Sequence, residues 1–179
     1  MTPAQMDAAR GLAFATRKGD VRSPARPALG FILGTTREQD IHRWANRAHL
    51  HCDDVRPGFV KCVNVPPETV GRSPSEGSID ELALGFDAQD RLANVTTLRE
   101  HLDTARASRS STEIASYLRG LLGPPERQGG GLDPTSLAAP GALGLATVSY
   151  RYSDYMAELA AMNLASGCSI REHYISAND

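Results

Sequence analysis

The sequence predicts an α+β fold in which an antiparallel sheet is backed by helices. Two observations lead to this prediction. Segments with helical spacing of apolar residues are followed by short segments that are β-branched or alternate apolar with polar residues. Polar stretches rich in Gly and Pro separate these segments and indicate turns. The 179 residues, of which 41% are hydrophobic, are enough to bury the core of one domain.

The first predicted helix follows Gly34. Thr35 and Glu38 have the spacing of a capping box, in which a hydroxyl and a carboxylate satisfy backbone N–H groups at a helix start. Apolar residues then recur on one face for about four turns. These residues are Ile41, Trp44, Ala45 and Ala48.

Three strands are predicted after this helix. Residues 59–65 are rich in β-branched side chains, which favour strands. Residues 79–86 and 92–98 flank the polar turn 87–91, and apolar residues alternate in the first of the two. The pattern therefore predicts a hairpin with one buried face.

The second predicted helix follows residues 103–111, which we interpret as a short linker. Ser110 and Glu113 form a second capping-box pattern, and Gly123 ends the helix ahead of two prolines. The helix carries one apolar stripe, formed by Ile114, Tyr117, Leu118, Leu121 and Leu122.

Three further segments close the chain, at 147–152, 155–164 and 168–175. The middle segment, YMAELAAMNL, has the composition of a helix, so helix and strand both remain open for it. Its position between two predicted strands favours a strand.

This organisation predicts three parts. Residues 1–29 form a basic, partly irregular leader that includes a short helix. Residues 30–102 form a first helix-plus-hairpin module. Residues 103–179 form a second such module, which contains a Gly- and Pro-rich loop at 123–144.

The two modules share features that suggest a tandem repeat of about 75 residues. Glu38 corresponds to Glu113 at an offset of 75, and the Glu-Leu pair at 81–82 corresponds to 158–159 at an offset of 77. The alternative is that an α+β chain offers a helix and a hairpin twice without duplication.

Three short motifs carry a family resemblance. Residues 34–41 read GTTREQDI, residues 84–92 read LGFDAQDRL, and residues 121–125 read LLGPP. Together they resemble the SmpA/OmlA (BamE) module. Two such modules in tandem would be similar to β-lactamase-inhibitory-protein architectures, in which paired modules form one curved antiparallel sheet backed by helices. The resemblance implies binding of another protein.

The segment around the first two cysteines predicts a disulfide. If residues 56–58 form a three-residue hairpin loop, Cys52 lies directly opposite Cys62. A two-residue turn would instead shift the register by one and place the cysteines on opposite faces. A disulfide here would indicate an oxidising compartment. Cys168 would remain unpaired and buried.

Two alternatives remain for these cysteines. Together with His49 and His51 they supply the atom types of a tetrahedral zinc site, although no Cys-x-x-Cys spacing is present. They would otherwise be two unrelated free thiols. The disulfide is the favoured prediction, and no metal site is assigned.

Aromatic and arginine side chains near the last strands are the candidate binding residues. Tyr and Arg on an exposed sheet face are typical anchors of protein interfaces. The alternative is an ordinary strand with half-buried tyrosines. The candidates there are Tyr150, Arg151, Tyr152 and Tyr155, and Trp44 of the first predicted helix is added to them.

Several function classes lack support in the sequence. No Gly-x-Ser-x-Gly elbow marks a hydrolase, and the glycines at 129–131 are not followed by the Lys-Ser/Thr of a phosphate loop. We therefore assign no catalytic residue and no cofactor. The net charge of −2 argues against nucleic acid, and no apolar run is long enough for a transmembrane segment.

The sequence thus predicts a non-enzymatic, exported bacterial protein that binds another protein through its sheet face, as an inhibitor or in envelope assembly. Export to the periplasm or medium would require a signal or lipid-attachment sequence. Residues 1–10 are too polar to be one, so the export prediction requires that such a sequence precede residue 1 and be removed. A cytosolic adaptor or secretion chaperone is one alternative. A small-molecule-binding or enzymatic α+β domain is the other.

Overall fold

Eight strands hydrogen-bond into one antiparallel sheet in the computed structural model, which describes residues 3–75, 77–139 and 141–177. Their order is β1-β2-β3-β4-β8-β7-β6-β5, so each half of the chain contributes four strands and β4 pairs with β8 where the halves meet. The strands are β1 His51–Arg56, β2 Phe59–Val65, β3 Ile79–Phe86, β4 Leu92–Leu102, β5 Arg127–Gly129, β6 Gly141–Arg151, β7 Tyr155–Leu164 and β8 Gly167–Ser176.

The helices of the described residues are α1 Pro3–Ala15, α2 Glu38–Arg47, α3 Thr104–Leu122 and α4 Pro134–Leu137, with a 3-10 turn at Pro67–Thr69. α2 and α3 bury their apolar stripes in the same core as the inward-facing residues of the sheet. The predicted α+β class, an antiparallel sheet backed by helices, is confirmed. No helix in the described part of the chain is long and apolar enough to span a membrane.

The start of α2 differs from the prediction. Arg37, not Thr35, precedes the first helical residue, and the Asp40 carboxylate accepts the backbone N–H of Arg37 at 3.0 Å. Asp90 of the β3–β4 turn accepts the N–H of Glu38 at 3.2 Å. The helix has 10 residues, about three turns rather than four. The local cap therefore starts two residues later than expected, and a carboxylate from a distant turn adds to it.

The start of α3 also lies earlier than predicted. Residues 103–111 are not a linker, because α3 begins at Thr104 and the Asp103 carboxylate accepts the N–H of Arg106 at 2.8 Å. The Ala- and Arg-rich composition supports a helix, and Asp103 supplies its N-cap. The expected capping box of Ser110 and Glu113 therefore lies inside the helix.

The β1–β2 hairpin reaches the predicted cysteine pairing by a different route. Its turn has two residues, 57–58, rather than three. Such a turn alone would place the cysteines on opposite faces, but a register shift between Asp54 and Arg56 compensates for it. Cys52 therefore still pairs directly with Cys62.

The last predicted segments form strands. Residues 155–164 are β7, which alternates buried and half-exposed side chains and pairs on both sides, so the strand alternative is confirmed. The loop predicted at 123–144 contains β5, α4 and the first residues of β6. Backbone hydrogen bonds between β5 and β6 order part of this segment. Such bonds form between main-chain groups, so a composition rich in Gly and Pro did not prevent them.

A cluster of polar side chains lies at the centre of the helix-facing side of the sheet. Arg99 of β4 forms an ion pair with Glu172 of β8, and both residues are buried. Thr97 donates its hydroxyl to the same carboxylate at 2.9 Å, and the Tyr174 hydroxyl donates to its other oxygen. The hydrogen bonds explain how a carboxylate is accommodated in this core.

Candidate functional site

The side of the sheet facing away from the helices is the candidate site, and we call it the open face. Strand alternation defines it. In β2, Val60 and Cys62 are buried on the helix side, while Phe59, Lys61 and Val63 are half-exposed on the other.

The register carries this alternation across both halves of the sheet. Lys61 pairs with Ala83, Ala83 with Thr96, Thr96 with His173, and His173 with Glu158. Directly opposite residues of antiparallel strands share a face. These five residues therefore form one row along the middle of the open face.

Several charges on the open face are paired within the molecule. Lys61 Nζ lies 2.5 Å from Glu81 Oε2, and Arg171 Nη2 lies 3.0 Å from Glu158 Oε1. Such pairs neutralise each other and leave little net field. The face is therefore polar without being strongly charged.

A shallow depression of about 80 Å³ lies on the β6–β8 half of the open face. Exposed Arg17, from the segment that follows α1, contributes to it. The sheet contributes the outward side chains of three neighbouring strands. They are Ser149, Arg151, Met156, Glu158, His173 and Ile175.

Among the outward side chains of this depression, His173 has a shifted pKa. Burial lowers the pKa of the imidazole from its usual 6.5, and the charge of Arg171 lowers it further. The carboxylate of Glu158 acts in the opposite direction. The lowered pKa keeps His173 neutral at pH 7, so it can both donate and accept a hydrogen bond.

Two of the predicted anchors are core residues. Tyr150 and Tyr155 are at most 1% exposed and point toward the helices. The Tyr155 hydroxyl donates to the carbonyl of Pro27 at 2.6 Å. Side chains buried in this way are not available to a partner protein.

The other predicted anchors are distributed over the molecule. Tyr152 is half-buried and donates its hydroxyl to the Leu122 carbonyl at 2.5 Å. Trp44 is half-buried on α2, where its Nε1–H donates to the Thr69 carbonyl at 2.8 Å. Arg151 lies on the open face, 3.5 Å from the Glu126 carboxylate. The structure does not bring these side chains together.

Phe59, Met156 and His173 lie on the open face, and none of the three was among the predicted binding residues. Phe59 also carries a cation–π contact, with the Arg56 guanidinium 4.6 Å from its ring centroid. The alternation within each strand was a signal that could have grouped such residues. Alternation could not have predicted that β4 pairs with β8, because the two strands are far apart in the chain.

The disulfide between Cys52 and Cys62 is present, as predicted. It excludes the free-thiol alternative, and the zinc alternative with His49 and His51 loses its two sulfur ligands. Cys168 is the remaining cysteine and is buried. Burial raises the pKa of its thiol, with a smaller contribution from the charge of Asp103.

Metal-ligand atoms also approach one another between α2 and β1. His42 Nε2 lies 3.1 Å from Asp54 Oδ1 and 3.8 Å from Glu38 Oε1. All three donor atoms fall within 4.8 Å of one another. Pairing of a histidine with two partly exposed carboxylates accounts for this arrangement.

Neither protein-family models, nor curated proteins, nor solved structures match this chain. The resemblance to the SmpA/OmlA (BamE) module stays a prediction, and so does the duplication. The candidate site rests on the geometry of the sheet.

Proposed function

We propose that this protein binds another folded protein through its open face. The observation that carries the proposal is the difference between the two sides of the sheet. α2 and α3 pack into the core on one side, whereas most of the described outward residues on the other side are half-exposed. A broad sheet surface presents many side chains in fixed positions at little entropic cost. Inhibition of a partner enzyme or a role in envelope assembly would both use such a surface.

The chemistry of the face favours a protein over other macromolecules. Apolar side chains such as Phe59, Met156 and Ile175 lie between charged groups that pair with each other. Nucleic acid would require an excess of unpaired cations. A lipid surface would require a larger continuous apolar area. A mixed polar and apolar surface is typical of reversible protein interfaces.

The disulfide supports an exported location for this activity. Such bonds persist in oxidising compartments and are rare in the cytosol. The bond links the edge strand β1 to β2, where it holds one margin of the open face. A periplasmic or secreted partner follows from this part of the proposal.

Site-specific photocrosslinking tests the proposal. A benzophenone amino acid is placed at Thr96 or at Met156, which lie on different strands of the open face. The matched control positions are Ala105 and Thr112, which are exposed on α3. We expect both open-face positions, and neither control, to capture the same protein in cells of the source bacterium.

The captured protein is then purified and its affinity is measured with Thr96→Arg. A large cation in the central row should weaken binding by at least about tenfold, because it cannot be buried without a partner. Thr112→Arg on α3 should leave the affinity unchanged. Capture from α3 alone, or full affinity of Thr96→Arg, would contradict the proposal.

A further inference from the structure

A small cavity lies on the helix side of the sheet, between α3 and the edge formed by β5 and β6. Its volume is about 170 Å³. Ala115, Leu132 and Val148 supply an apolar lining. The cavity is separate from the open face, because Val148 points inward from β6 and is 3% exposed.

A buried hydroxyl without a partner forms part of this lining. Tyr150 lines the cavity and is only 1% exposed. Among the described residues, its hydroxyl has no hydrogen-bond partner. Buried hydroxyls are nearly always paired, so an unpaired one at a cavity points to a group that the cavity receives. Burial raises the pKa of this hydroxyl, which therefore stays protonated and able to donate.

The cavity also has a cationic side. Arg119 of α3 lines it, and its charge acts on the Tyr150 hydroxyl. No carboxylate is present among the described residues of the lining, whose other polar members are Thr112, Ser116 and Gln128. The described lining thus has one positive charge and several hydrogen-bond donors.

We propose that this cavity binds a small monocarboxylic acid, whose carboxylate contacts Arg119 and the Tyr150 hydroxyl while its apolar body lies against Leu132 and Val148. A carboxylate accepts hydrogen bonds from both groups and neutralises the guanidinium. The volume suits a body of one ring, because a cavity of about 150 Å³ in another protein holds benzene. This inference is independent of the protein-binding proposal and concerns the opposite side of the sheet.

Benzoate is the test ligand, titrated into the ¹⁵N-labelled full chain at constant ionic strength. We expect saturable shifts of amide signals along α3 and β6, with a Kd of about 10 mM or tighter for a ligand of this size. Arg119→Gln should weaken benzoate binding by about tenfold or more, because a charge-assisted hydrogen bond is lost. Tyr150→Phe keeps the ring and should weaken it by about threefold or more.

Two controls separate this site from general attraction of anions. Arg109→Gln removes an exposed arginine of the same helix that is not among the residues lining the cavity, and it should leave the Kd within about twofold. Ser116→Phe places a ring at an exposed position of the cavity rim and should abolish binding. Benzyl alcohol, which lacks the charge, should bind weakly and equally to wild type and Arg119→Gln.

The outcomes are distinct. Loss of binding in Arg119→Gln and Ser116→Phe with retention in Arg109→Gln supports the proposal. Absence of saturable shifts, or equal affinity of Arg119→Gln and wild type, overturns it. Neither result depends on the partner protein or on the open face.

Discussion

Arg99 and Glu172 form a buried ion pair at the boundary between the two halves of the sheet. Their side chains are 1% and 0% exposed, and they come from β4 and β8, the strands that join the two halves in the described part of the chain. Thr97 and Tyr174 donate further hydrogen bonds to the carboxylate. The pair thus lies at the β4–β8 contact, where the two halves of the sheet meet. It can form only when both halves are folded together.

Glu172→Gln should destabilise the protein by about 3–5 kcal/mol, because it leaves the buried Arg99 charge uncompensated. Urea unfolding followed by circular dichroism measures the change. Glu158→Gln is the matched control, because its pair with Arg171 is partly exposed and should be worth less than about 1 kcal/mol. Equal effects of the two variants would show that another group compensates the charge of Arg99 when the Glu172 carboxylate is removed.

Replacing Cys52 and Cys62 by serine should lower the free energy of unfolding by about 2–3 kcal/mol, since the bond closes a short loop in the unfolded chain. The same unfolding assay measures this loss. Alkylation of the denatured, unreduced wild type should add one group, on Cys168, whereas three groups would mean that the disulfide does not form. The native protein should react slowly, because Cys168 is buried.

Tyr150→Phe should leave stability unchanged or raise it, because it removes a buried hydroxyl that has no hydrogen-bond partner among the described residues. Tyr155→Phe is the matched comparison. It removes a buried hydroxyl that donates to the Pro27 carbonyl at 2.6 Å, and it should cost about 1 kcal/mol or more. Thermal unfolding of both variants measures the difference. A loss in Tyr150→Phe as large as in Tyr155→Phe would reveal a partner for the Tyr150 hydroxyl.

His173 should make the protein less stable in acid. Its pKa is below 6.5 in the folded state, so the unfolded chain binds more protons between that lowered value and about pH 7. Stability contributed by the neutral imidazole is complete above this window and is lost as the pH falls through it. In His173→Gln the free energy of unfolding should depend less on pH within this window. Denaturant unfolding at a series of pH values measures this dependence.

His51→Gln serves as the control for the pH series, since His51 is exposed on β1. Between pH 7 and the lowered pKa of His173, the free energy of unfolding of this variant should change with pH as steeply as that of the wild type. An unchanged slope in His173→Gln would assign the acid sensitivity to another group.

Local patterns were sufficient for much of the fold. Alternation and β-branching predicted β2 and β3 and most of β4 and β8, and the position of 155–164 between strands outweighed its helical composition. Gly123, with a φ of 84°, ends α3 as its place after the apolar stripe predicts. These features depend on residues close together in the chain.

The helix cap and the strand register that depend on distant residues were not predicted. Asp90 accepts the N–H of Glu38 from 52 residues away, which no local motif contains. The bulge between Asp54 and Arg56 has no sequence signal beyond the need to bring the cysteines together. In both cases the partner becomes a neighbour only after the chain has folded.

In β6, the contribution of the sequence pattern can be separated most clearly from that of the tertiary structure. Period-two alternation in the sequence groups Val148 with Tyr150 on one side of the strand, and Ser149 with Arg151 on the other. It does not say which group faces the helices. Packing of the helices on one side of the sheet, with α4 against β6 itself, buries the first group and leaves Arg151 on the open face. The sheet places its larger apolar side toward the helices. That choice depends on contacts between distant segments, so it becomes visible only in the tertiary structure.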